Sequence, residues 1–93
     1  MNALANNYNR RKISFKKGKG CFLYSTDGTK YLDFLSGIAV NTLGHSNPHL
    51  NRALLEQSKK LWHISNSFLI PEGEKLAKKL VKNTFADSVI FVN

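Results

Sequence analysis

Acidic residues are scarce in this chain of 93 residues, and none precedes Asp27. Six Asp and Glu stand against 14 Lys and Arg, for a net charge of +8. Arg10, Arg11, Lys12, Lys16, Lys17 and Lys19 all fall before the first carboxylate. Such a front suits an anionic partner, either nucleic acid or a membrane surface, and suits equally a solvated arm on a larger, better balanced protein. Cysteine is limited to Cys21, which excludes an internal disulfide and fits a reducing, cytoplasmic setting. No apolar run approaches the roughly 20 residues of a membrane span. The start, M-N-A-L-A-N-N-Y-N-R-R-K, lacks the apolar core of a signal peptide. It is Arg-rich and acid-free, as an organelle presequence is, but carries no clear amphipathic helix. No repeat or low-complexity tract is present.

What is there reads as one small globular unit. Apolar residues make up 42% and aromatics 11%, which argues against disorder. Residues 1–12 are polar and Asn-rich, a flexible basic arm. Residues 13–70 form a first segment. Ile13-Ser-Phe15 is a short strand ending at K-K-G-K-G. Next, residues 21–34 predict a β-hairpin around Asp27-Gly28, because Asp-Gly favours a two-residue type I′ turn. That turn pairs Thr26 with Thr29, Tyr24 with Tyr31, Leu23 with Leu32 and Cys21 with Phe34. The core face then carries Cys21, Leu23, Leu32 and Phe34. The opposite face carries Phe22, Tyr24, Tyr31 and Asp33.

S36-G-I-A-V-N-T-L-G-H-S-N-P48 is a long connection with an apolar middle, which must bury against something. Asn47 as N-cap and Pro48 at the first position open a helix over 48–62, with Leu50, Ala53, Leu54 and Leu61 on one face. After an irregular stretch, residues 71–93 supply a helix and a strand. Pro71 opens the helix. Glu72 and Glu74 lie in its first turn and Lys78, Lys79 and Lys82 near its end, which suits the helix dipole. Leu76, Ala77, Leu80 and Val81 form its apolar stripe. Ser88–Asn93, with V-I-F-V unbroken by polar residues, predicts a strand buried on both faces of a parallel sheet. No other strand of that kind is present. The class is α/β, with an α+β opening segment and the large sheet missing.

Candidate sites weigh poorly against ordinary structural roles. His45 and His49 are four apart but straddle Pro48, and neither H-E-x-x-H nor C-x-x-C accompanies them, so no metal site is expected. Gly18-Lys19-Gly20 is no Walker loop, since no G-K-[ST] opens a helix after a strand, and a turn is expected there. The basic arm with Tyr8 and Phe15 could hold RNA by charge and stacking, yet no recognition motif follows it, so nucleic acid is not the expected partner. Ser36 or Ser46 with His45 lacks a nucleophile elbow and an orienting acid. Trp62 and Phe68 are expected as core or interface anchors.

The elements G-x-G-x-x-L-x-x-x-D-G, Y-L-D-F, S-G-I-A-V-N, L-G-H-x-x-P, K-L-W-H-x-S-N-x-F and T-F-A-D-x-V-x-F-x-N occur in order over residues 8–93. In that order and spacing the chain resembles the class III pyridoxal-phosphate-dependent aminotransferases, and among them the acetylornithine-type members. Asn47 stands where that family often has a second histidine, and Lys12 where many members have proline. Ile38 is similar to the acetylornithine-type and aminobutyrate-type enzymes.

The resemblance implies the start of a fold type I transferase, homodimeric, with pyridoxal phosphate in the full-length enzyme. It implies amino-group transfer between N-acetylornithine, or a similar ω-amino acid, and 2-oxoglutarate, in arginine biosynthesis. It implies that the phosphate-binding turn, the Schiff-base lysine, the aspartate at the pyridine nitrogen and the carboxylate-binding arginine belong to later positions. This chain is then an N-terminal fragment, inactive and without cofactor on its own, or one half of a split enzyme. By the same resemblance Ile38, Ala39 and Val40 line the substrate side. Ser65, Asn66 and Phe68 lie near the active site or the dimer seam.

Overall fold

A computed structural model describes residues 3–92. They fall into two compact units, divided between Glu56 and Gln57. The basic arm up to Lys12 has no regular structure among the described residues. Arg10 turns back on it, stacking over the Tyr8 ring at 5.2 Å and donating to the Ala5 carbonyl at 3.0 Å.

The first unit is built on an antiparallel meander of three strands: β1 (Phe15–Lys19), β2 (Phe22–Ser25) and β3 (Lys30–Leu32). β1 begins where the sequence reading ended its strand, and it runs through K-K-G-K. Pairing with β2 is interrupted by a bulge between Phe15 and Lys17.

The hairpin exists, but its turn differs from the expected one. Gly28 N–H donates to the Ser25 carbonyl and Ser25 N–H to the Thr29 carbonyl, each at 3.0 Å. Thr26, Asp27 and Gly28 therefore form a three-residue loop, with Gly28 at φ +94°. That is a type I turn closed by a left-handed glycine, the next favoured hairpin loop after the two-residue forms. Asp27 stabilises it by accepting from the Ser25 hydroxyl and from Thr29 N–H.

One extra loop residue moves the register. Leu23 faces Tyr31, Phe22 faces Leu32 and Tyr24 faces Lys30. The expected face of Cys21, Leu23, Leu32 and Phe34 is thereby split. Leu23, Ser25 and Tyr31 share one side, where the Tyr31 ring meets Phe15 edge-on at 5.5 Å. Phe22, Tyr24, Lys30 and Leu32 share the other. There Lys17 lies over Tyr24 and Lys30 over Phe22, at 4.8 and 3.8 Å. Phe34 is 89% exposed.

After β3 the chain makes a single turn, α1 (Ser36–Ala39). All of its residues have positive φ, from 51° to 65°. Only Gly37 takes that conformation without steric cost. The others carry about 1–2 kcal/mol each, and β-branched Ile38 is the least suited. α2 (Pro48–Ser58) starts as expected. Asn47 Oδ1 accepts from His49 and Leu50 N–H at 2.9 and 3.3 Å, satisfying two of the free amides of the first turn. The helix stops four residues before the expected end at Trp62. Lys60 and Leu61 N–H still donate to the Gln57 carbonyl at 3.0 and 3.2 Å, and the Trp62 indole N–H takes the Ser58 carbonyl at 2.7 Å.

α3 (Pro71–Asn83) has its proline in the first turn, Glu72 and Glu74 at its start and Lys82 at its end. The Thr84 hydroxyl and the Asn83 amide donate to the Leu80 and Lys79 carbonyls, closing it. Residues 88–92 are not a strand. A strand needs a neighbour to satisfy its backbone, and the described residues offer none. Asn93 lies outside the described residues.

No apolar side chain is fully buried among the described residues; Ser25, 2% exposed, is the one residue that is. The apolar stripes are present, but among the described residues most of their side chains stay exposed.

Candidate functional site

The densest polar organisation lies around Asp33, just past the end of β3. Its Oδ1 accepts from Leu35 N–H at 2.9 Å and Ser36 N–H at 3.0 Å, the two amides that lead into the left-handed turn. Its Oδ2 lies 2.7 Å from His45 Nε2. The Asp33 side chain is 8% exposed and that of His45 18%. The His45 hydrogen bond and the Ser36 amide hold the Asp33 carboxyl below the usual carboxylate range.

His45 is fixed from several directions. Its N–H donates to the Gly20 carbonyl at 2.8 Å and its carbonyl accepts from Gly20 N–H at 2.9 Å. Its ring packs on β1 over Gly18, where a Cβ would come within 2.4 Å of the ring. Next to it, the Ser46 hydroxyl donates to the Gly18 carbonyl at 3.0 Å. Gly44, at φ +78°, lies so close to Gly20 that a Cβ would sit 2.9 Å from its carbonyl oxygen. Gly18 and Gly44 are therefore close-approach positions, whereas a Cβ on Gly20, at φ +56°, would meet nothing within 4 Å. They do not form a phosphate cradle.

From the sequence His45 is expected to be structural or incidental, with no orienting acid at a known spacing. The structure supplies the acid. It does not supply a nucleophile: the Ser46 hydroxyl is committed to Gly18, and Nε2 to Asp33. The pairing was in principle legible. An Asp followed at two and three residues by the start of an S-G turn is a side-chain cap, and a capping carboxylate has a second oxygen to satisfy.

Ile38, Ala39 and Val40 lie in or just after the left-handed turn. Ile38 is 88% and Val40 74% exposed, an apolar surface offered by a backbone held in an unfavourable conformation. Ser65, Asn66 and Phe68 belong to the second unit. Phe68 N–H donates to the Ser65 carbonyl at 3.0 Å, and the Ser65 hydroxyl accepts from Ser67 N–H at 3.1 Å, making a tight turn. Asn66 and Phe68 border an open cleft of about 810 Å³ whose walls include Ile70, Ala77, Val89 and Phe91. Trp62 is 86% exposed and its indole serves the end of α2, so it anchors no core among the described residues.

All eleven lysines are exposed. The open cleft is bordered by Asn66 and Glu74 as well as by apolar side chains. Among the described residues no group of three or more His, Cys, Asp or Glu is placed to hold a metal ion.

The sequence profile of the aminotransferase class-III family matches residues 3–93. The chain belongs to this family. It is 52% identical over 90 residues to the acetylornithine aminotransferase of Brucella melitensis, covering 97% of this chain and 22% of that protein. It is 55% identical over 84 residues to acetylornithine aminotransferase 1 of Bradyrhizobium diazoefficiens, covering 90% and 21%. Among solved structures, the N-acetylornithine aminotransferase of Stenotrophomonas maltophilia superposes with a TM-score of 0.74 at 41% identity, over 81% of this chain and 21% of that one. The ornithine δ-aminotransferase of Plasmodium falciparum superposes with a TM-score of 0.84 at 31% identity, over 90% and 22%. The chain thus spans about a fifth of the length of the relatives it matches. The small mixed α/β fold of this class III aminotransferase segment agrees with the class read from its sequence. Among the described residues no helix is long and apolar enough to cross a membrane.

Proposed function

We propose that this chain is the N-terminal segment of an acetylornithine-type aminotransferase and that it supplies pocket wall and assembly surface, not reacting groups. The observation that carries the reading is the identity of 52% to an acetylornithine aminotransferase across 97% of the chain. The exposed apolar stripes of α2 and α3 support it, because each Leu or Ile left in water forgoes about 1.5–3 kcal/mol that docking would recover.

In this reading the complete enzyme is a cytoplasmic homodimer. With pyridoxal phosphate bound, it transfers the ω-amino group of N-acetylornithine to 2-oxoglutarate in arginine biosynthesis. Ile38, Ala39 and Val40 form an apolar wall on the substrate side. Ser65, Asn66 and Phe68 lie at the active-site or dimer seam. The 93 residues alone do not transaminate.

The test replaces the matched segment of the Stenotrophomonas maltophilia enzyme with this chain. Transfer from N-acetylornithine to 2-oxoglutarate by the chimera supports the reading. Chimeras that fold and bind cofactor but prefer an unrelated donor would overturn it. Amino transfer by the isolated chain would overturn the claim that it supplies no reacting group.

A further inference from the structure

The left-handed turn is an unlikely structure for its sequence. Ser36, Ile38 and Ala39 all have positive φ, with only Gly37 to ease the path. Hydrogen bonds within the turn, such as Val40 N–H to the Ser36 carbonyl at 2.9 Å, would form as well in a right-handed turn. Something outside the turn must select its hand. Among the described residues the polar side chain that grips its entry is Asp33, through Leu35 and Ser36 N–H. The other oxygen of the same carboxylate is held by His45, itself locked to Gly18 of β1 and to Gly20 just after it.

We propose that Asp33 and His45 act together as a positioning pair. His45 orients the Asp33 carboxylate, the carboxylate fixes the entry to the turn, and the turn presents Ile38 as a rigid apolar wall. Presentation of that wall to the amino donor rests on the function proposed above; the coupling of His45, Asp33 and the turn does not. The geometry assigns the pair to substrate placement and not to proton transfer, because His45 Nε2 is already occupied by Asp33 and the turn carries no ionisable group.

Two experiments separate the parts. In the first, the 93-residue chain is examined by NMR, reading the strong intraresidue amide-to-α-proton NOEs that positive φ produces at residues 36, 38 and 39. Asp33→Ala and His45→Ala are expected to lose these signals while the Leu23–Tyr31 cross-strand NOEs of the hairpin persist. His45→Gln, which can place an N–H near the Nε2 position, is expected to restore them. Their persistence in either alanine variant, or their absence from the unsubstituted chain, overturns the coupling. If Asp33→Ala also loses the hairpin, the His45 variants decide, and failure of His45→Gln to restore the signals overturns it as well.

In the second experiment the chimera carries the same substitutions. His45→Ala is expected to raise KM for the amino donor more than it lowers kcat, with His45→Gln recovering KM. Equal loss in both parameters, or no loss, overturns the placement role. A chimera inactive with the unsubstituted segment counts against the proposed function and leaves the NMR result standing.

Discussion

The two compact units are held by different means. The first, up to Glu56, is tied by contacts between residues far apart in sequence: Ser46 to Gly18, His45 to Gly20, Asp33 to His45, and a three-stranded ladder. The second, from Gln57 onward, has a longer helix and the stronger apolar stripe, yet the bonds that close its ends reach only two to four residues, as in Trp62 to Ser58 and Thr84 to Leu80. Neither buries an apolar core, so the difference is one of cross-linking. A polar network can specify a local conformation without much stability. A helix with an uncovered stripe has neither, until something docks on it.

The largest disturbance is expected at Gly18. Gly18→Val puts a branched side chain where the His45 ring lies, and overpacking of this kind costs about 1–3 kcal/mol. Amide exchange at Gly20 and His45 should accelerate, while α3 exchange is unchanged. Equal acceleration in α3 would break the distinction between the units.

Acid should act next, and on the first unit. The Ser25 and Thr29 hydrogen bonds lower the Asp27 pKa from 3.8 to about 2. Asp33 is lowered as well, chiefly by His45. A depressed folded-state pKa contributes stability that is complete above the unfolded value and is lost as pH falls through the folded one. The hairpin loop should therefore hold at pH 5 and loosen as pH falls from about 4 toward 2. Amide exchange at Thr29, Leu35 and Ser36, corrected for intrinsic rates, checks this. A loop unaffected across that range would mean that the carboxylates do not hold it.

A smaller effect is expected from Asn47→Ala, which removes the cap of α2 at a cost of about 1 kcal/mol. Circular dichroism should record partial loss of helix. The smallest is Glu74→Gln. It breaks the exposed Glu74–Lys78 pair, 3.2 Å long, and should change helix stability by no more than about 0.5 kcal/mol. A larger loss would show that charge pairing sustains α3 more than an exposed pair ordinarily does.

Local chemistry was readable where it acts over a few residues. Asn47-Pro48 and Pro71 announced both longer helices, and Asp27-Gly28 announced the hairpin. The same dipeptide misled on register, because Asp-Gly fits both a two-residue loop and the last two places of a three-residue one. The side-chain bonds of Asp27 to Ser25 and Thr29 accompany the second. One residue of loop moved Tyr31 to the face of Leu23 and put Lys30 beside Tyr24. The end of α2 was missed because an apolar period continues to Leu61 whether or not the backbone does. The Asp33–His45 pair was missed because it joins positions twelve apart, across a turn whose hand no propensity favours.

The order of residues was enough to establish the fold class, the helix starts, the hairpin and the family, since each is a matter of local pattern or of motifs in sequence. The hand of the Ser36–Ala39 turn, the faces of the hairpin and the pairing of His45 with Asp33 are visible only in three dimensions. They depend on loop length, on a carboxylate that reaches two nearby amides and a histidine twelve residues on, and on how closely two glycine-lined segments approach. Residues 88–92 obey the same rule from the other side: their composition favours a strand, but a strand is a relation between neighbours, and pairing is what makes one.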